Sequence, residues 1–330
     1  MYKNTSNIPL TMAVWLAADY GYDLKYDPMV YSATDLLKPI KSLLLSRELK
    51  NNTLPTETVE IADLAPARLG TAVHTDVERA WTENHVEALT ALGYPDQMID
   101  RIRINPPRPD VQGHIPEKMP IDIYIEQRTA KQVGKYTVSG KFDFVIEGRV
   151  RDVKTTKTYN WIHGGNNHKY MMQGSIYRWL NPDIITDNFM SVDYAFTDWA
   201  PLQAQANRDY PPSRILAKEL ELLPIQITDD FVHARLDLID ALTGAPQTDI
   251  PDCTPDELWQ MPTKYAFYRK ATNKKATKLY DSLAEANQAN ADIGNTGTVV
   301  HRPSTPKFCT YCDASSICLQ ADAFRAAGLL

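Results

Sequence analysis

YTVSGKFDFVIEGRVRDVKTT, residues 136–156, is the stretch on which the reading of this chain turns. Residues 136–146 carry β-branched and aromatic side chains and read as a strand. Glu147-Gly148 reads as a two-residue turn, and 149–155 as the returning strand. A loop of those two residues fixes the register: Val145 faces Val150, and Asp143 faces Asp152. Opposed residues share a face with Cβ atoms roughly 4.5–5.5 Å apart, and Lys154, two places beyond Asp152, points the same way. Two carboxylates so close repel, and one has its pKa raised unless a cation lies between them. Mg²⁺ takes hard oxygen ligands and keeps several waters. One such water can become a nucleophile while the metal offsets charge on a phosphate. Lys154 would orient that water or oppose the developing charge. The competing reading is an Asp–Asp–Lys cluster at a hairpin rim with no function.

Working outward, residues 67–93 form a helix candidate with Leu69, Val73, Val77 and Trp81 as an apolar stripe at a spacing of four. Gly70, His74 and Glu78 make a second row on it. Gly70 allows close approach to another backbone, and His74 offers a metal-ligating nitrogen or a structural one. Residues 167–180 read as the helix after the hairpin, with Gln173 and Tyr177 four apart. That pair either contacts phosphates or a catalytic group, or is a buried pair satisfying itself. Further helices are expected at 8–20 (buried), from Pro39 to Leu49, and at 227–243 with Phe231, Leu236, Leu238 and Ile239 inward. Strands are expected at 121–128 and 189–196. Residues 50–66 read as loop, and the proline-rich 105–120 as irregular. The order of elements is α/β.

The net charge is −6, with 43% hydrophobic and 23% charged residues, ordinary for a globular chain. Positive charge is concentrated locally. Residues 264–278 hold Lys264, Arg269, Lys270, Lys274, Lys275 and Lys278 and no acid, while 135–170 hold seven Lys/Arg against three acids. The first segment reads as a basic hairpin at 265–281, followed by a helix near 283–292, and suits phosphate tracking or simply a solvated face. There is no signal-like or membrane-spanning run and no Gly-x₄-Gly-Lys-Ser/Thr phosphate loop. Cys309-x₂-Cys312-x₅-Cys318, with Cys253 as fourth thiol, reads as a metal site rather than a disulfide framework, against four free buried cysteines.

Taken in order, Gly70-x₃-His74, Gly140-Lys-Phe-Asp143, Asp152-Val-Lys154 and Gln173-x₃-Tyr177 resemble the RecB-like branch of the PD-(D/E)XK nucleases. They span about a third of the chain. The resemblance implies a central mixed β-sheet flanked by helices, a restriction-endonuclease-like core with a small C-terminal Cys-bound subdomain. It implies metal ligation by His74, Asp143, Asp152 and the carbonyl of Val153, a catalytic Lys154, and support from Gln173 and Tyr177. Mg²⁺ or Mn²⁺ is the implied active-site metal. The stretches AVWLA (13–17), YSATDLLKP (31–39) and LWQMPTKY (258–265) are similar to phage-encoded RecB-like exonucleases. Some relatives end on this cysteine spacing and hold a [4Fe–4S] cluster, their first Cys lying before the His motif. Here that region is Leu37-Lys38-Pro39, so Cys253 must serve, and Zn²⁺ is the alternative.

The expected division is an N-terminal helical region (1–66) packed on the core, the nuclease core (67–245), and a subdomain of basic hairpin and four cysteines (246–330). The expected function is metal-dependent DNA exonuclease action in phage recombination, processing or degradation. The alternatives are a structure-specific endonuclease and a non-catalytic DNA-binding or partner subunit. Expected partners are DNA and a single-strand annealing or single-strand-binding protein, with no membrane and an oligomer open. The expected place is the cytoplasm, that of a bacterial host if the chain is phage-encoded.

Overall fold

The computed structural model describes residues 2–18, 26–51, 59–108, 119–260 and 262–330. The chain divides into two units, Met1–Leu37 with Thr56–Leu238, and Lys38–Pro55 with Ile239–Leu330. Residues 38–55 thus group with the C-terminal part rather than with an N-terminal region, and the later boundary falls at 238 rather than 245. No helix among the described residues is long and apolar enough to cross a membrane.

The first unit opens with β1 (Tyr2–Lys3), α1 (Leu10–Ala17), β2 (Val30–Ser32) and the one-turn α2 (Ala33–Leu36). Ser32 and Asp35 cap α2 reciprocally, the pattern that satisfies two orphan amides at once. Helix α3 (Ile40–Asn51) starts just after Pro39 and belongs to the second unit. Next come β3 (Val59–Glu60), a 3-10 turn (Ile61–Leu64), α4 (Ala65–Glu83), α5 (His85–Ala91) and α6 (Asp96–Ile99). Six strands follow: β4 (Ile102–Ile104), β5 (Ile121–Ile125), β6 (Arg128–Val133), β7 (Tyr136–Lys141), β8 (Phe144–Ile146) and β9 (Arg149–Thr156). Helices α7 (Thr158–His163) and α8 (Asn167–Leu180) lead to β10 (Phe189–Phe196), α9 (Pro201–Ala206), β11 (Ile215–Glu221) and α10 (Ile225–Leu242).

The result is a mixed α/β architecture. A six-stranded sheet runs β11-β10-β9-β8-β5-β4, with β9/β10 and β4/β5 parallel and the other neighbours antiparallel. A three-stranded sheet runs β2-β7-β6, and β1 pairs with β3. Ile121, Ile123, Ile125, Phe144 and Val153 form a buried cluster against which Val73, Val77 and Trp81 of α4 pack. Burying such side chains stabilises by about 1.5–3 kcal/mol each. Met190, Val192, Tyr194 and Phe196 of β10 are buried at alternate positions, the period of a strand.

The hairpin register is as the turn chemistry requires. Glu147 and Gly148 both have positive φ, 51° and 81°, as a type I′ turn demands. The ladder pairs Ile146 with Arg149, Val145 with Val150, and Phe144 with Arg151. The single strand expected at 136–146 is, however, two. It breaks at Phe142-Asp143, β7 joining the three-stranded sheet and β8 the six-stranded one. The expected strand 121–128 ends at Ile125, because Glu126 takes φ of 52°. Residues 67–93 are two helices broken at Asn84, and Leu69 is exposed. Residues 59–66, expected as loop, hold β3, the 3-10 turn and the start of α4, while 52–58 lie outside the described residues. In the proline-rich stretch, 109–118 also lie outside them, as do 19 and 20 of the first expected helix. Helix α1 is not buried: Leu10, Met12 and Val14 are exposed and only Leu16 is covered. On α10 the buried positions are Thr228, Val232, Leu236 and Ile239, whereas Leu238 is exposed.

In the second unit, β12 (Lys264–Tyr268) and β13 (Lys278–Tyr280) form the expected hairpin, flanked by α11 (Leu283–Ala291) and β14 (Thr298–Arg302) in the order β13-β12-β14. Two 3-10 turns (Lys307–Tyr311, Ser315–Ile317) and α12 (Leu319–Ala326) complete it. Two glutamines tie the chain before the hairpin to this tail. Gln320 accepts from the Cys253 amide and donates to its carbonyl, both at 2.9 Å. Gln247 donates to Ile317 O at 2.9 Å and accepts from the Leu319 amide at 3.1 Å.

Candidate metal centre

The first unit gathers five chemically active side chains around the open end of the β8–β9 hairpin. His74 comes from α4, which approaches β9 closely because Gly70 has no Cβ; one there would stand 3.2 Å from Thr155 Oγ1. His74 Nδ1 lies 3.4 Å from Asp143 Oδ2. The same Asp143 oxygen accepts a 2.8 Å hydrogen bond from the Val153 amide. Glu126, just past the end of β5, donates its own amide to Asp143 O at 2.8 Å. His74, Glu126 and Asp143 each offer a ligand atom, and the three atoms lie within 4.8 Å of one another. Lys141 Nζ sits 2.5 Å from Glu126 Oε2.

Asp152 is 1% exposed. Lys154 Nζ is 2.6 Å from its Oδ2. That ion pair offsets the cost of burying the Asp152 charge. The electrostatics follow. Burial, and next the charge of Asp152, push the Asp143 carboxyl up to about 6, against the opposing pull of Lys154 and His74. Burial draws the Lys154 ammonium down, but Asp152 and Asp143 outweigh it, so its pKa is raised and it stays charged. The Tyr170 ring centre stands 5.7 Å from Lys154 Nζ, and burial pushes the Tyr170 hydroxyl up.

Gln173 and Tyr177 lie four apart on α8. Gln173 Nε2 donates to Tyr177 Oη at 2.7 Å, and both are buried. Gly140 of β7 backs onto them: a Cβ there would come within 2.7 Å of Leu180 Cδ1 and 3.0 Å of the Tyr177 ring. The pair thus bonds to itself, and the Tyr177 ring packs at the seam between α8 and β7. Glu126 went unforeseen, since its place beside Asp143 depends on the pairing of Ile125 with Phe144. The only local signal was an acid at the end of an apolar strand.

In the second unit Cys253, Cys309, Cys312 and Cys318 line one small cavity of about 20 Å³, with Lys41, Ser42 and Leu45 of α3 on its wall. None is in a disulfide. Burial first, then the neighbouring Glu257 and Cys318, push the Cys253 thiol up to about 12. Burial and the adjoining Cys312 and Cys318 raise Cys309. Ser42 Oγ lies 3.2 Å from Cys312 Sγ. Helix α3, directly after the Leu37-Lys38-Pro39 segment, thus supplies a hydroxyl to the thiol group. On the basic hairpin, Arg269, Lys270, Lys274, Lys275 and Lys278 are exposed, while Lys264 pairs with Asp281.

No family and no curated protein matches this chain. Among solved structures, one described as "Crystal structure of SSO0001" is similar over 68% of this chain and 81% of that one, at 17% identity and a TM-score of 0.39.

Proposed function

We propose that this chain is a divalent-cation-dependent deoxyribonuclease with a restriction-endonuclease-like core on the PD-(D/E)XK pattern, acting as an exonuclease. The observation that carries the reading is Asp152: a carboxylate at 1% exposure, ion-paired to Lys154 at 2.6 Å, close to a second, partly buried carboxylate, Asp143. A cation relieves both, and the oxygen-rich donor set with one imidazole fits Mg²⁺ or Mn²⁺. His74, Asp143, Asp152 and the Val153 carbonyl would hold it. Bound there, it would supply Lewis-acid polarisation of the scissile phosphate and an activated water.

The rest belongs to the chain's own residues. Lys154, kept charged by two carboxylates, opposes the negative charge that grows on the phosphate oxygens. Gln173 and Tyr177 brace the sheet seam behind the hairpin. The exposed cations of the 264–278 hairpin bind DNA phosphates. The four thiols suit a [4Fe–4S] cluster, or Zn²⁺ in its place, as a staple for residues 253–318. In a phage setting the reaction would serve DNA recombination, processing or degradation in the host cytoplasm, beside a single-strand annealing or single-strand-binding protein.

The test is end-labelled linear duplex, single-stranded DNA and a closed circle, each with Mg²⁺, Mn²⁺ or EDTA, for the wild type and Asp152→Ala. The expected result is metal-dependent loss of linear DNA, a spared circle, and no cutting by the variant. A cut circle replaces exonuclease by structure-specific endonuclease. DNA bound but uncut with either metal overturns catalysis and leaves a non-catalytic DNA-binding subunit.

A further inference from the structure

We infer that Glu126 is a ligand of the centre's cation, and that Lys141 is the counter-charge a divalent ion displaces from it. The inference rests on the metal-dependent reading above and adds to it a residue from the end of β5, outside the hairpin and outside α4.

Three observations meet here. Glu126, His74 and Asp143 present one ligand atom each within 4.8 Å of one another. Ligands about 2.1 Å from Mg²⁺ in an octahedron stand roughly 3.0–4.2 Å apart, so small side-chain rotations close this set around an ion. Second, Asp152 directly follows Arg151, the last residue of the ladder with β8, and is 1% exposed. That places a third carboxylate, buried and ion-paired to Lys154 at 2.6 Å, beside the cluster. Third, the side chains of Glu126, Asp143 and His74 keep 17%, 14% and 29% exposure. An ion can enter, yet the ligands are largely desolvated.

Lys141 explains how the apo cluster persists. Its ammonium sits 2.5 Å from Glu126 Oε2 and is 32% exposed, so it can swing to solvent when a doubly charged ion arrives. Ammonium and metal compete for one carboxylate, which gives the two residues opposite signatures. Removing the Glu126 charge weakens metal binding, and removing the Lys141 charge strengthens it. A merely structural Glu126–Lys141 pair would move both variants the same way or not at all.

The experiment is Mn²⁺ titration of the full chain without DNA, read by loss of the free-ion electron paramagnetic resonance signal, for the wild type, Glu126→Gln and Lys141→Gln. The expected result is about tenfold or greater weakening for Glu126→Gln, on the scale seen when support of a metal site is lost, and several-fold tightening for Lys141→Gln. Wild-type affinity in Glu126→Gln, or weakening in Lys141→Gln, overturns the inference. Wild type that binds Mn²⁺ with these signatures but cuts no DNA keeps the ligand assignment and removes the nuclease reading. Wild type that cuts DNA while Glu126→Gln binds Mn²⁺ normally does the reverse. A wild type that binds no Mn²⁺ overturns both.

Discussion

Replacing Asp143 by Asn should make the metal-free protein more stable. The carboxyl titrates at about 6 instead of 3.8, through burial first and the Asp152 charge second. At about 1.4 kcal/mol per pH unit of displacement, its ionised form costs the fold roughly 3 kcal/mol. The sign follows from proton counting. Between pH 3.8 and about 6 the native state holds the proton more tightly than the unfolded chain. Stability therefore falls as pH rises through that window, and the whole loss is present above it. Asparagine keeps the shape and an oxygen that accepts from the Val153 amide, but carries no charge. In EDTA at pH 8 the Asn variant should gain up to about 3 kcal/mol, and at pH 4 the gain should vanish. Urea midpoints at unchanged slope measure this. Asp143→Ala supplies the contrast. It removes the charge and also the acceptor, and an orphaned buried amide costs about 1–3 kcal/mol, so it should lie below the Asn variant. With Mn²⁺ at a hundredfold its Kd, the wild type should recover about 2.7 kcal/mol and the Asn variant far less. An Asn variant no more stable than wild type at pH 8 in EDTA would refute the idea that this cluster is electrostatically frustrated.

Two further outcomes are expected. Elemental analysis of the purified chain should find iron or zinc near stoichiometry, and Cys309→Ser should lose it along with resistance of the 253–318 region to proteolysis; four freely titrating thiols in the native wild type would argue for simple buried cysteines. Changing Arg269, Lys270, Lys274 and Lys275 together to Ala should weaken DNA binding and flatten its salt dependence, by up to about 0.9 in log–log slope for each duplex phosphate that is no longer neutralised; an unchanged slope would remove the hairpin from the DNA path.

What could be read from the sequence was local. The Glu147-Gly148 turn fixed the hairpin register from Ile146–Arg149 to Phe144–Arg151, because a two-residue loop leaves one pairing; Asp143 lies one place beyond the end of that ladder. Helix α8 was legible to the residue, since its apolar positions repeat at a helical period over fourteen places. Long-range placement was not legible. Glu126 reaches the centre only because β5 pairs with β8, a partner no local pattern names. Helix α3 groups with the cysteines through tertiary packing of Leu45 and Leu49 on Ala314 and Ile317, not through any signal in 40–51. The Gln173–Tyr177 spacing was visible, but spacing alone does not say whether two polar groups face a ligand or each other.

The break at Phe142-Asp143 links fold to chemistry. In an uninterrupted hairpin the Val153 amide would bond to the main chain of Phe142, the position two before Phe144 on the opposite strand. Instead the Phe142 amide bonds to Gln127 O at 3.3 Å, as β7 leaves for another sheet. The Val153 amide, which must find a partner when buried, takes the side chain of Asp143. One carboxylate therefore closes the ladder end and is held in a fixed direction beside His74 and Glu126. The backbone bond fixes the direction of that carboxylate, while Asp152 nearby repels its charge and Lys154 and His74 attract it. A continuous strand would have satisfied Val153 through the main chain and left Asp143 free to turn toward water, with its pKa near the ordinary carboxylate value and no reason for a metal to bind.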